Sequence, residues 1–295
     1  MTRINNSPSA AHSPEVPAAV GVVGGGRMGG GIAHAFLMAG ARVSVVDVSP
    51  EAAEAARGRI ARSVDASLAR GASGEREEIL GRLRCGAEYE ALEGCELVVE
   101  AVPEDPELKA ETFRRIAQTA PGAALATNTS SLSVTELAGA LEHPEKVIGL
   151  HFFNPVPAST LVEIIVAERT PPELLERARG WVAGLGKTPV VVKDSPGFAS
   201  SRLGVAIALE AMRMVEEGVA SPEDIDAAMV LGYKFPVGPL ALTDIVGLDV
   251  RLGIARYLHS TLGERFAPPQ ILVDKVARGE VGRKAGAGFY RYEEE

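Results

Sequence analysis

The sequence predicts an α/β protein in which a sheet domain of parallel strands precedes a smaller, all-helical domain. Three observations carry that prediction. From Ala18 onward, short β-branched runs alternate with longer stretches rich in Ala, Glu and Arg, the signature of repeated βαβ units. Several short runs are apolar at consecutive positions, as expected of strands covered by helices on both faces. The alternation stops at Lys193-Asp194-Ser195-Pro196-Gly197, and only helix-length segments follow.

Along the chain, residues 1–17 are rich in Ser, Pro, Ala and Asn without an apolar period, and a disordered leader is expected there. Strands are expected at 20–23, 43–47, 97–102, 123–127, 147–151, 161–166 and 189–192. Helices are expected at 28–39, 50–70, 107–119 and 172–185. Ser49-Pro50 and Pro171-Pro172 open two of them, since proline's fixed φ and missing N–H do no harm in a first turn. The last third holds helices at 198–217, 222–231, 240–262 and 270–278. The first of these is apolar around most of its circumference through Leu203, Val205, Ile207, Leu209, Met212, Met214 and Val215. Such a helix is expected to be buried on several sides, as at a subunit interface. The domains are therefore expected at 18–193 and 194–295.

Composition excludes several functions. Thirty basic against thirty-nine acidic residues give a net charge of −9, which argues against a broad nucleic-acid surface. No apolar run approaches the ~20 residues of a membrane span, and the N-terminus has no apolar core of a secretory signal. A soluble, cytoplasmic protein is expected. Cys85 and Cys95 are too few for a disulfide framework and lack metal-site spacing; they are read as buried small apolar residues.

Gly24-Gly25-Gly26-Arg27-Met28-Gly29 fits G-x-G-x-x-G directly after the apolar strand AVGVV, and it opens the helix GIAHAFLMAG. In such a loop Gly24 makes the tight turn, Gly26 admits a pyrophosphate to the backbone, and Gly29 lets helix and strand approach. The helix N-terminus, with Arg27 and Met28 in its first turn, offers N–H groups and a positive dipole end to phosphate. Asp47 ends the next strand eighteen residues after Gly29, where an acid binds the adenosine ribose hydroxyls. A carboxylate there repels a 2′-phosphate, so the expected cofactor is NAD, held in a Rossmann-type domain.

Among five histidines, only His151 ends an apolar strand and precedes an irregular turn, Phe-Phe-Asn-Pro-Val-Pro. The carboxyl ends of strands in an open α/β sheet form its ligand crevice. Glu163 lies twelve residues on, inside the apolar run LVEII, a poor place for an unpaired carboxylate. A strand, a turn and a returning strand can bring the two together. A His–carboxylate pair beside a nicotinamide suits removal of an alcohol proton as hydride departs. Spacing alone leaves open the plainer reading of a hydrogen-bonded strand-end histidine and a buried structural acid.

With these segments in view, the chain resembles the 3-hydroxyacyl-CoA dehydrogenase family, especially its short-chain, 3-hydroxybutyryl-CoA branch. The resemblance covers roughly residues 18–293 through GVVGGGRMGGGIA, LVVEAVPEDPELK, NTSSL, HFFNPVP followed by LVE, DSPGF, GPLALTDIVGLD and GRKAGAGFYRY. It implies an NAD-dependent oxidoreductase of fatty acid metabolism that takes an acyl-CoA thioester and forms a homodimer through its helical domain. It implies that His151 is the catalytic base, Glu163 its carboxylate partner, and Ser130 and Asn154 the groups on the substrate's 3-oxygen. Ala101, Glu104, Lys109 and Asn128 match residues near the nicotinamide half of the cofactor. Ser63 and Arg70 match contacts to the nucleotide end of coenzyme A. Arg57, Arg59, Arg62 and Arg70 share their segment with a single acid, Asp65, the kind of local basic patch a polyanionic carrier needs. For Arg57 and Arg59 an ordinary solvated helix face fits equally well.

The family usually reads DSPGF-x-x-Asn-Arg, whereas this chain reads DSPGFASSR and places Ser201 where the substrate-side asparagine is expected. Thr160 stands where many relatives carry lysine. Serine offers one donor where an amide offers two. These changes keep open a hydroxy acid that is not a CoA thioester, or a hydroxyacyl group on a carrier protein. A non-catalytic NAD-binding protein is the remaining alternative.

Overall fold

The first apolar run folds as β1 (Ala19–Val23), whose buried Val20, Val22 and Val23 begin the core of an eight-stranded sheet. The structure, a computed structural model, describes residues 15–293, and the chain divides after Asp194 into two units. In the first unit β1 leads to α1 (Arg27–Met38), β2 (Arg42–Val46), α2 (Pro50–Ala69), α3 (Arg76–Gly81) and β3 (Leu83–Gly86). There follow β4 (Leu97–Glu100), α4 (Pro106–Thr119), β5 (Ala124–Thr127), α5 (Val134–Gly139) and β6 (Val147–Phe152). The unit closes with β7 (Leu161–Val166), α6 (Pro172–Gly184) and β8 (Thr188–Lys193).

The strand order is β3-β2-β1-β4-β5-β6-β7-β8. Chain order therefore reverses between β1 and β4, and the carboxyl ends of these strands flank the switch point where such sheets bind ligands. Side-chain caps fix where the helices leave the sheet. Ser49 Oγ accepts from Ala52 N–H (3.2 Å) at the start of α2, and Asp105 accepts from Leu108 N–H (2.8 Å) at the start of α4. Each cap precedes a proline at the first helical position.

The expected all-parallel sheet needs correction. β6 and β7 pair antiparallel, and β8 runs parallel to β7, so the last two strands oppose the rest. The connection at 153–160 is too short for the crossover that a parallel pair requires. β3, α3 and α5 were not foreseen; each has only four to six residues, and β3 (LRCG) carries an arginine and a glycine in place of an apolar run. The leader expected at 1–17 lies outside the described residues as far as 14. Beyond that, Glu15 N–H donates to Gly180 O (3.3 Å) and Val16 packs against the core, so ordered contacts begin before Ala18.

The second unit holds α7 (Ser200–Glu216), α8 (Pro222–Ala227), a π-helical turn (Ala228–Gly232), α9 (Pro239–Val246), α10 (Leu248–Leu262) and α11 (Gln270–Ala277). Its core joins Val205, Leu209 and Met212 of α7 to Leu240, Leu252, Leu258 and Leu272. The helix expected at 240–262 is two helices, because Gly247 has φ +107° and breaks the run. The one expected at 222–231 ends its α-helical part at Ala227. Within its unit α7 buries Val205, Ala208, Leu209, Ala211 and Met212, while Leu203 is 64% exposed.

Candidate functional site

The loop after β1 has the geometry of an anion cradle. Gly24 has φ +93°, and a Cβ on Gly29 would come within 1.8 Å of the Gly24 carbonyl oxygen, so α1 can press on the loop only if residue 29 is glycine. Gly26 caps α1; a Cβ there meets nothing within 4 Å, and no acidic residue occupies the helix's first turn. Exposed Arg27 and half-buried Met28 begin that helix. Open space, unneutralised N–H groups and a positive dipole end suit a pyrophosphate.

Asp47 follows β2 directly. Its Oδ2 accepts from Gly25 N–H (2.9 Å) and its Oδ1 from Val48 N–H (2.8 Å), which fixes the carboxylate beside the glycine loop. Arg59 reaches across from α2 and donates through Nε and Nη2 to Gly25 O (3.3 and 3.0 Å). The sequence shows Arg59 only as part of a basic segment that equally fits a solvated helix face, because a contact thirty-four residues away leaves no local signal.

At the carboxyl ends of β4 and β5 lies a closed polar network. Lys109, on α4 and 1% exposed, donates to Glu100 Oε1 (2.7 Å) and Val102 O (3.1 Å) and lies 3.4 Å from Glu104 Oε2. Glu100, fully buried, also accepts from Val102 N–H (2.7 Å) and Thr127 Oγ1 (2.7 Å). Glu104 Oε1 gathers the loop after β5: it accepts from Thr129 Oγ1 (2.6 Å), Ser130 N–H (3.0 Å), Ser131 N–H (3.1 Å) and Ser131 Oγ (2.9 Å). Burial opposes the Glu104 charge, yet Lys109 and the donors of Thr129, Ser131 and Ser130 hold its carboxyl below the usual range. The far end of this loop is tied by Ser133 Oγ and Thr135 N–H, which donate to Asp194 Oδ2 (2.7 and 2.8 Å). Half-buried Ser130 is thus held from both sides. Asn128 Oδ1 accepts from Phe152 N–H (2.9 Å) and binds the loop to β6. Half-buried Ala101 follows β4, in reach of the glycine loop through Gly24.

The register of β6 on β7 sets His151 directly opposite Glu163, and His151 Nδ1 lies 2.8 Å from Glu163 Oε2. Both are buried, at 6% and 1% exposure, and the Phe153 ring packs on the imidazole at 4.5 Å. An ionised carboxylate can only accept, so the Nδ1 proton faces Glu163 and the tautomer leaves Nε2 as the basic nitrogen. Asn154 follows on the turn, exposed, and Thr160 is exposed at its far end.

Ser63 and Arg70 lie on and just after α2, away from this cluster in sequence; Ser63 Oγ donates to Arg59 O (3.2 Å), and Arg70 is exposed. Within the basic patch Arg57 pairs with Glu54 (3.6 Å) and Asp65 with Arg76 (2.6 Å), while Arg62 is exposed. Ser201 sits half-buried in the first turn of α7, in the second unit. Cys95 is buried as expected, whereas Cys85 is only half-buried; burial pushes the Cys95 thiol up to about 11 and raises that of Cys85. Among the described residues no cluster of three or more His, Cys, Asp or Glu could hold a metal.

Comparison with known proteins agrees over nearly the whole chain. Residues 19–195 match the family model of the 3-hydroxyacyl-CoA dehydrogenase NAD binding domain, and residues 197–292 match that of the C-terminal domain. The chain is 42% identical over 277 residues to a Bacillus subtilis protein named "Probable 3-hydroxybutyryl-CoA dehydrogenase", covering 92% of this chain and 96% of that one. It is 40% identical over 279 residues to the Mycobacterium tuberculosis 3-hydroxybutyryl-CoA dehydrogenase, covering 92% and 98%. The crystal structure of (S)-3-hydroxybutyryl-CoA dehydrogenase from Ralstonia eutropha superposes with a TM-score of 0.90 at 36% identity, covering 94% of this chain and all of that one.

Proposed function

The chain belongs to the 3-hydroxyacyl-CoA dehydrogenase family, and on that premise we propose that it interconverts (S)-3-hydroxybutyryl-CoA and acetoacetyl-CoA with NAD. The observation that carries this reading is the buried pair of His151 and Glu163, 2.8 Å apart. The α1 N-terminus and Gly26 would receive the pyrophosphate, and Asp47 the adenosine ribose. Glu104, Lys109, Asn128 and Ala101 would border the nicotinamide, which when bound accepts hydride from C3 of the substrate.

The remaining chemistry belongs to the chain. His151 takes the hydroxyl proton at Nε2 while Glu163 holds the ring and balances the imidazolium charge. In reduction the same nitrogen returns the proton. Ser130, anchored through Glu104, and Asn154 hold and polarise the C3 oxygen. Ser63 and Arg70 take the nucleotide end of coenzyme A, and Ser201 the substrate side of the helical domain. Residues 18–193 act as the NAD-binding domain and 194–295 as a dimerisation domain. Exposed Leu242, Ile245 and Val246, at i, i+3 and i+4 on α9, and nearby Val250 support a homodimer. We assign the protein to the cytoplasm; among the described residues no helix is long and apolar enough to cross a membrane.

The test is NADH oxidation with acetoacetyl-CoA beside free acetoacetate. Turnover of the thioester with little of the free acid supports the reading. Preference for the free acid overturns it and points to the Ser201 departure. Sedimentation of the purified protein as a monomer at micromolar concentration would contradict the dimer.

A further inference from the structure

Glu100 has no part in the reaction as assigned above, yet it is the most enclosed acid of the network. Its carboxylate accepts from Val102 N–H, Lys109 Nζ and Thr127 Oγ1 at 2.7 Å each, so both of its oxygens are engaged by donors. Lys109 bridges it to Glu104, whose carboxyl is held below its usual range by Lys109 and the hydroxyl and N–H donors of the loop. Two carboxylates thus share one ammonium. Two carboxylates and one ammonium give the network a formal charge of −1. Glu100 and Lys109 are almost fully shielded from water, a setting in which a charge acts further than it would in water, while Glu104 is partly exposed. Asp105 and Glu107, next along the chain, are exposed and add no positive charge. Hydrogen bonds from Thr127 to Glu100 and from Thr129 to Glu104 brace the two acids from the β5 side, so the charge is fixed in place.

The oxidised nicotinamide ring is a cation and the reduced ring is neutral. A fixed anion beside the ring therefore favours the oxidised cofactor. We propose that Glu100 is a positioning residue which, with Glu104 and Lys109, holds a net negative charge beside the nicotinamide and biases this protein toward NAD+ over NADH. This rests on the NAD-binding reading above, and specifically on the nicotinamide lying against Glu104 and Lys109. A purely structural role for Glu100 has a different signature, because loosening the loop weakens both cofactor forms together.

The experiment is equilibrium titration of the wild type, Glu100→Gln and Thr127→Val with NAD+ and with NADH, each followed by calorimetry. Gln keeps the shape of Glu100 and removes its charge; Val at 127 breaks a hydrogen bond of the same network and leaves the charge. Expected is a rise of about tenfold in the ratio of Kd for NAD+ to Kd for NADH in Glu100→Gln, and a ratio within about twofold of wild type in Thr127→Val. Partly exposed Glu104→Gln removes the same charge and serves if Glu100→Gln does not fold; the same tenfold rise is expected. Equal weakening of both forms by the charge-removing variant, or no change in either, overturns the proposal and leaves the NAD reading intact. A wild type that binds neither form overturns both.

Discussion

Glu163→Gln separates an orienting carboxylate from a buried acid that merely packs. At the 2.8 Å contact the charge centres of an imidazolium and Glu163 lie roughly 4 Å apart, where an effective dielectric of about 20 gives about 4 kcal/mol of attraction. The amide retains a dipole and nearly the same volume, so about 3 kcal/mol of that stabilisation should be lost as the proton arrives on His151. This corresponds to a fall in kcat on the order of 100-fold. The amide can also present its N–H₂ to Nδ1, which moves the imidazole proton to Nε2 and blocks it as a base. The assay is steady-state oxidation of 3-hydroxybutyryl-CoA, with NADH binding and thermal unfolding as controls for the fold. KM for NAD should change little, because Glu163 faces His151 across the sheet register and not the glycine loop. A kcat within about fivefold of wild type, in a variant that folds and binds cofactor, would refute the assignment of Glu163.

Three further outcomes follow from the geometry. Gly29→Ala should abolish measurable NADH binding, since its Cβ would meet the Gly24 carbonyl oxygen at 1.8 Å; binding retained within about threefold would contradict the close approach. Arg251 of α10 is 7% exposed, its Nε has no hydrogen-bond partner among the described residues, and burial lowers its pKa. Arg251→Met should therefore stabilise the protein by about 1–3 kcal/mol in denaturant unfolding, and a loss of stability would show that the cation is compensated. Glu104, whose carboxyl is held below its ordinary value of 4.5, contributes stabilisation that is complete above that value and lost only as pH falls through the lower folded one. NAD binding, which depends on the folded-state carboxylate, should hold from pH 7 down through 4.5 and weaken only at the lower folded pKa, and a decline beginning near pH 6 would contradict the assignment.

What the sequence made legible follows from how local each feature is. The glycine loop, Asp47 and the strands around them could be read because apolar runs and turn chemistry lie within a few residues of each other. The His151–Glu163 pair could be suspected because a turn of eight residues leaves a returning strand as the simplest connection, and the antiparallel register then sets them opposite. The reversal of β7 and β8 against the rest follows from that same turn, yet the general βαβ rhythm obscured it. Arg59 is legible only as a member of the basic patch, without its contact to Gly25, and Glu100 is not legible as a site residue at all. The partners of Arg59 lie on another element, and Glu100 reads as the polar end of an apolar strand until Lys109 and Thr127 are placed around it. The break at Gly247 was hidden because apolar residues continue with helical spacing on both sides.

The central claim is that His151 carries the proton of an NAD-dependent reaction on a 3-hydroxyacyl thioester. The most direct measurement is NADH oxidation with acetoacetyl-CoA by the wild type and His151→Ala, with NADH binding measured on both. The account predicts turnover that the substitution lowers by about 100-fold or more, at unchanged NADH affinity. Turnover that survives the loss of His151 would contradict it.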